Sequence, residues 1–120
     1  MVEKVSVADK FERFDDYWSP KIIGELNDFY VKAVKVKGEF VWHKHDEEDE
    51  LFFVVKGNLK IKLRDGEINL APGDFAVIPH QVEHLPIADQ EAHVLLLEPK
   101  TTVNTGDASS DRRVEVLDRI

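Results

Sequence analysis

The feature that most constrains this chain is the alternation between Leu59 and Leu70. Leu59, Ile61 and Leu63 alternate with Lys60, Lys62 and Arg64; Ile68 and Leu70 resume the pattern after Asp65-Gly66. Side chains of a strand point to opposite faces in turn, so period-two alternation marks half-buried strands. Asp65-Gly66 is a hairpin turn signal, because Gly accepts the positive φ that such turns require. The rest of residues 21–99 is punctuated in the same way. Phe29 to Lys37, Leu51 to Val55, Phe75 to Ile78, Val82 to Ile87 and Ala92 to Leu97 read as strands, and Pro72-Gly73-Asp74 as another turn. Many short strands with no long helical pattern between them predict an all-β antiparallel sandwich or barrel rather than a parallel α/β sheet.

The flanks read differently. Ser6-Val7-Ala8-Asp9 resembles a capping box with Asp9 in place of the usual Glu or Gln. Val7, Phe11, Phe14 and Trp18 recur at helical spacing and form one apolar stripe. Residues 1–20 are therefore expected to form a helical segment on the barrel wall, ended by Ser19-Pro20. Residues 100–120 are rich in Thr, Ser, Asn, Asp and Gly and read as a loop or tail, in which Val114, Val116 and Ile120 either add a last short strand or fray.

At 120 residues the chain is one domain, long enough to hide roughly two-thirds of its unfolded surface. It has no cysteine, so disulfides and thiolate metal sites are excluded. No apolar run near the N-terminus suits a signal peptide and none approaches a membrane span, which fits a cytoplasmic protein. The net charge of −8 argues against nucleic acid as a partner, since phosphate binding needs a basic surface. Leu51 to Val55 and Val94 to Leu97 are apolar on both faces. Their outer face needs a cover, either the N-terminal helix or a second subunit, and a homodimer is expected.

The chemistry centres on histidine. His43 and His45 are two residues apart, which on a strand projects both imidazoles to one face. Glu50 opens the next apolar run and His84 lies on a later strand. Such a histidine and carboxylate set suits iron, manganese, nickel, copper, cobalt or zinc, and disfavours calcium and magnesium. The neighbouring run Asp46-Glu47-Glu48-Asp49 offers competing carboxylates and reads as a solvated loop. His80 follows Pro79 in a turn and reads as exposed. His93 shares a face with Leu95 and Leu97. It reads as a structural histidine, or as an acid or base beside the metal if that face is the lumen. Phe52 and Val54 share the parity of Glu50 and should line the lumen, whereas Trp42 should point away from the metal; Phe75 and Val77, or alternatively Ala76 and Ile78, add to that wall. An apolar lumen with a few polar groups favours a small, partly apolar ligand over a sugar.

Gly38, His43, His45, Glu50 and Gly57 resemble the first motif of the cupin superfamily: a Gly, then His-x-His, then Glu, then Gly. The Gly-to-His gap is one residue shorter than the commonest form. Gly73, Pro79 and His84 resemble the second motif, with Gln81 where the family usually has Gly and Ala88 where it has Asn. The resemblance implies a double-stranded β-helix, or jelly-roll, barrel, often dimeric. It implies one divalent transition metal on His43, His45, Glu50 and His84. Within the family the chain is similar to small single-domain members labelled mannose-6-phosphate-isomerase-like. The function expected is a metal-dependent enzyme, a dioxygenase or an isomerase or lyase, acting on a small oxygen-bearing metabolite. The alternatives are a metal-dependent small-molecule sensor without catalysis, and a barrel with a vestigial site.

Overall fold

A computed structural model describes residues 2–120. One short helix, α1 (Val7–Phe11), precedes seven strands: β1 (Lys21–Leu26), β2 (Phe29–Glu39), β3 (Glu50–Lys56), β4 (Leu59–Leu63), β5 (Gly66–Leu70), β6 (Phe75–Ile78) and β7 (His84–Pro99). Every strand pairing is antiparallel, in the order β1-β2-β7-β3-β6, with β4 joining β7 to β5. The expected all-β jelly-roll barrel is the fold observed.

Strand β7 closes the barrel. It pairs with β2 along its length, with β4 through His84 to Ile87, and with β3 through His93 to Leu97. The two separate strands expected here, Val82 to Ile87 and Ala92 to Leu97, are therefore one. The polar stretch Asp89-Gln90-Glu91 interrupts the apolar pattern like a turn, yet its backbone stays extended around the corner. Gly57 sits against that corner at φ +79, where a Cβ would stand 2.8 Å from the Glu91 carbonyl. Only glycine meets both demands. The β4–β5 hairpin turns one residue earlier than read from Asp65-Gly66: Leu63 pairs with Gly66, so Arg64 and Asp65 make the turn.

Alternation decides which face is inside. Val34 and Val36 of β2, Phe52 and Val54 of β3, Leu59 and Ile61 of β4, Ile78 of β6 and Val94 and Leu96 of β7 form the inner core. Of the two possibilities for β6, Ala76 and Ile78 face inward, while Phe75 and Val77 are 56% and 53% exposed.

The N-terminal stripe does not stay on one helix. Helix α1 ends after five residues, although Ser6 caps it through the Asp9 amide at 3.3 Å. So short a helix holds little stability of its own, and tertiary partners capture the residues beyond it. The Lys35 ammonium donates to the Phe14 carbonyl at 2.6 Å, and the Trp18 amide donates to the Lys35 carbonyl at 2.8 Å. The stripe then splits. Phe11 and Phe14 cover the outer wall with Ile23, Ala33, Val55 and Leu95, whereas Trp18 joins the inner core. Burying each of these rings contributes roughly 1.5–3 kcal/mol. Ile120 reaches the outer cluster as well, tied by its amide to the Ile22 carbonyl at 3.1 Å.

Candidate metal centre

Three chain segments deliver the four groups. His43 and His84 face each other across an isolated antiparallel bridge, with backbone hydrogen bonds of 3.1 and 2.9 Å. That bridge brings their rings to 4.2 Å between centroids. His45, two residues on, stands 5.1 Å from His43 ring to ring. Glu50 opens β3 and completes the group. All four are buried, and one ligand atom from each lies within 4.8 Å of the others. Two donors each about 2.1 Å from one ion stand at most roughly 4.2 Å apart, so a slight contraction brings the set onto one centre. The acidic run before Glu50 turns outward: Asp46, Glu47 and Asp49 are exposed, and Glu48 accepts a hydrogen bond from Thr101 at 2.9 Å.

The hydrogen bonding fits a cation. His43 and His84 each place Nδ1 on the carbonyl two residues back, Val41 at 2.9 Å and Val82 at 2.8 Å. A carbonyl only accepts, so Nδ1 carries the hydrogen and the neutral ring presents its Nε2 lone pair to the centre. His84 Nε2 then faces Glu50 Oε1 at 3.3 Å, lone pair to lone pair. His45 Nε2 lies 3.4 Å from the same oxygen, off the line of a hydrogen bond, and is otherwise without a partner. Buried groups left this way are costly. A divalent ion between them would satisfy His43, His45, His84 and Glu50 together.

Burial, and then the neighbouring His84 ring, depress the His43 imidazole to a pKa of about 4. Burial also pulls on His45, but the adjacent Glu50 carboxylate outweighs it and raises that pKa above 6.5. Glu50 is held well below the usual carboxylate range: burial opposes this, yet the polar groups packed against it, Glu98, His45 and His84, prevail. These shifts set a sign. A metal must displace a proton from His45 but none from His43 in the neutral range. Metal affinity is therefore expected to keep rising with pH above 6.5, until His45 has lost its proton. The simple expectation for free imidazoles, a fall only below about 6.5, is thus shifted upward. Titrating zinc between pH 6 and 8.5 checks this; an affinity already flat at 6.5 would contradict it.

Two residues beside the site escape a reading of the sequence. Lys32 and Glu98, each 1% exposed, pair at 2.7 Å inside the barrel. Burial, and then the negative charge of Glu50, push the Glu98 carboxyl well above its usual range. Its Oε1 is held by Lys32, while its Oε2 is buried without a partner. The available signal was parity. Lys32 shares a face with Val34 and Val36, and Glu98 with Val94 and Leu96.

His93 is not brought to the site. It lies on the opposite face of β7, stacked on Phe11 at 4.6 Å and paired with Glu91 at 2.7 Å. The acid or base role is therefore corrected: the lumen face of β7 carries Val94, Leu96 and Glu98. His80 is exposed and bound to Asp49 at 2.8 Å.

Gln81 occupies the position where a glycine was expected, at φ 70. Its amide donates to the His45 carbonyl at 2.7 Å and its side chain bridges the Asp46 carbonyl and the Lys44 ammonium. These bonds offset the left-handed backbone and tether the loop that carries His45. Residues 101–107 fold back over the same loop. Lys44 and Asp107 exchange two hydrogen bonds, at 3.0 and 2.8 Å. Gly106, at φ +55, packs so tightly that a Cβ would overlap the Lys44 carbonyl. Asn104 and Trp18 border a small cavity of about 40 Å³ whose walls include Phe40, Phe52, Leu59 and Val94, with His43 and Glu50 among its polar groups.

A jelly-roll barrel with three histidines and one glutamate converging inside it defines the class. The cupin domain model matches residues 30–99, and the chain belongs to that family. It is similar to the cupin-2 domain containing protein from Shewanella frigidimarina, with 47% identity and a TM-score of 0.79 over 80% of this chain and 94% of that one. Among curated proteins, it is 40% identical to the uncharacterized protein YdbB of Bacillus subtilis over 52% of this chain and 56% of YdbB. It is 33% identical to 3-hydroxyanthranilate 3,4-dioxygenase of Ruegeria pomeroyi over 72% of this chain and 51% of the dioxygenase. The chain thus spans about half the length of these curated relatives. No described helix is long and apolar enough to cross a membrane.

Proposed function

We propose that this cupin is a metal-dependent enzyme acting on a small oxygen-bearing metabolite, with His43, His45, Glu50 and His84 as ligands of one divalent transition metal. The observation that carries this is the buried set of imidazole lone pairs directed at Glu50, at the edge of an apolar lumen. When bound, the metal supplies Lewis acidity and, with iron, access to dioxygen chemistry. The chain's own residues do the rest. The apolar walls exclude water, Glu50 fixes the charge at the centre, and the buried Lys32–Glu98 pair lies beside it. The relative named as a dioxygenase favours oxygenation over the isomerase and lyase reactions of other cupins. A mannose-6-phosphate-isomerase-like activity has less support, since a sugar phosphate needs polar and cationic walls.

The test is elemental analysis of protein purified without chelator or a metal-affinity tag, followed by oxygen uptake with small phenols and enols. Stoichiometric iron with uptake supports the dioxygenase. Metal with tight metabolite binding and no turnover supports the sensor reading instead. Protein with no bound transition metal and no affinity for one ends both. We also propose a homodimer through edge strand β6, whose Phe75 and Val77 face solvent; light scattering should then give twice the 13.8 kDa chain mass.

A further inference from the structure

The lumen wall carries a statement about charge. None of the thirteen residues lining the cavity is Lys or Arg. Its polar members are His43, Glu50 and Asn104, besides the indole of Trp18. The indole N–H is already committed, donating to the Lys37 carbonyl at 2.9 Å. The cations nearby are spoken for or lie outside. Lys32 is buried but bound to Glu98 at 2.7 Å. Arg112 approaches the Trp18 ring at 5.9 Å, yet it is exposed and not part of the wall.

This leaves one place for negative charge. A divalent ion facing one carboxylate and three neutral imidazoles keeps an excess positive charge, so an oxygen anion of the ligand is favoured there. Anywhere else in the lumen, an anionic group would be stripped of water with no cation to receive it and only the second N–H of the Asn104 amide as a donor, beside the charge of Glu50. Such burial is strongly unfavourable.

We infer that the site takes ligands with a single oxygen anion, a carboxylate, enolate or phenolate, on an otherwise uncharged and largely apolar body. It rejects compounds with a second, remote acid group. Sugar phosphates are excluded on this basis. So are rings that carry a carboxylate apart from their metal-binding oxygen, as 3-hydroxyanthranilate does. The inference rests on the metal reading above and narrows it to a substrate class. The cavity of about 40 Å³ is smaller than the roughly 150 Å³ that holds a benzene ring. A ring therefore enters by displacing Trp18 and Asn104, which both sit on connecting segments rather than on strands.

A matched pair of rigid probes tests the charge rule without turnover. 4-Cyanobenzoate and terephthalate share a ring and one carboxylate, and differ in whether the far end is neutral or charged. Neither can bend back to chelate. Zinc-loaded protein is titrated calorimetrically with each at pH 7.5, and zinc content is measured on the same sample. Terephthalate is expected to bind at least about tenfold more weakly than 4-cyanobenzoate. Equal or tighter binding of terephthalate, or binding of neither by fully loaded protein, overturns the substrate class and leaves the metal reading standing. Protein that takes up no zinc overturns both.

Discussion

Replacing His45 by alanine is expected to lower divalent-metal affinity by on the order of a hundred- to a thousandfold while the barrel stays folded. Four-donor structural zinc sites bind with apparent free energies of about 10–16 kcal/mol, so losing one of four donors removes a large share. The fold should tolerate the change, because His45 lies on the loop between β2 and β3 and is absent from the inner apolar core. His43 and His84 keep their bridge through backbone atoms alone. Two controls make the test specific. His80→Ala removes an exposed ring held by Asp49, and His93→Ala removes a ring on the outer face of β7. Neither should change metal affinity by more than about twofold. Circular dichroism and a thermal melt verify folding, and competition against a chromophoric chelator gives the affinity. If His45→Ala still bound one equivalent with native affinity, the ligand assignment would be wrong.

The second large effect concerns stability. Lys32→Met should destabilise the metal-free protein by about 3–5 kcal/mol, because it breaks a buried pair and strands one partner. Glu98 would lose its only hydrogen-bond donor while remaining almost fully buried beside the charge of Glu50. The loss in melting temperature should be roughly 10–25 °C for a domain of this size. Adding Glu98→Met to Lys32→Met should recover most of it, since a well-packed apolar pair often equals a buried ion pair in stability. Denaturant unfolding of the two variants decides the matter. A Lys32→Met protein as stable as the parent would mean that the pair contributes nothing. A double variant worse than the single one would mean that Glu98 supports the barrel in another way.

How much of this was legible beforehand depends on range along the chain. The β4–β5 hairpin and the Pro72-Gly73-Asp74 turn were legible because both are local. Alternation and turn residues act over a few positions, and no distant segment overrides them. His43 and His45 were legible as a pair for the same reason, and Glu50 and His84 through the spacing of two motifs. The N-terminal stripe misled because helical periodicity was sustained on paper by Phe14 and Trp18. Lys35 reaches across from β2 to take the Phe14 carbonyl, and the chain leaves the helix before either ring. A polar run at Asp89-Gln90-Glu91 resembled a turn because local composition does not distinguish a turn from a strand bending around a barrel corner.

Lys32 and Glu98 illustrate the deeper limit. A long charged side chain in a strand is usually read as facing solvent, and each of these, taken singly, fits that reading. Only together do they become a buried pair, and they are 66 residues apart. His93 shows the converse: which face of β7 lines the lumen depends on how the sheet closes. The sequence by itself determined the strand pattern, the donor types and the parity that groups side chains onto faces. The tertiary structure alone decided which face turned inward, that Trp18 and residues 101–107 close over the site, and that Glu98 backs Glu50. The physical reason is that periodicity fixes relations within a strand, whereas burial and electrostatic partnership arise only when distant strands meet.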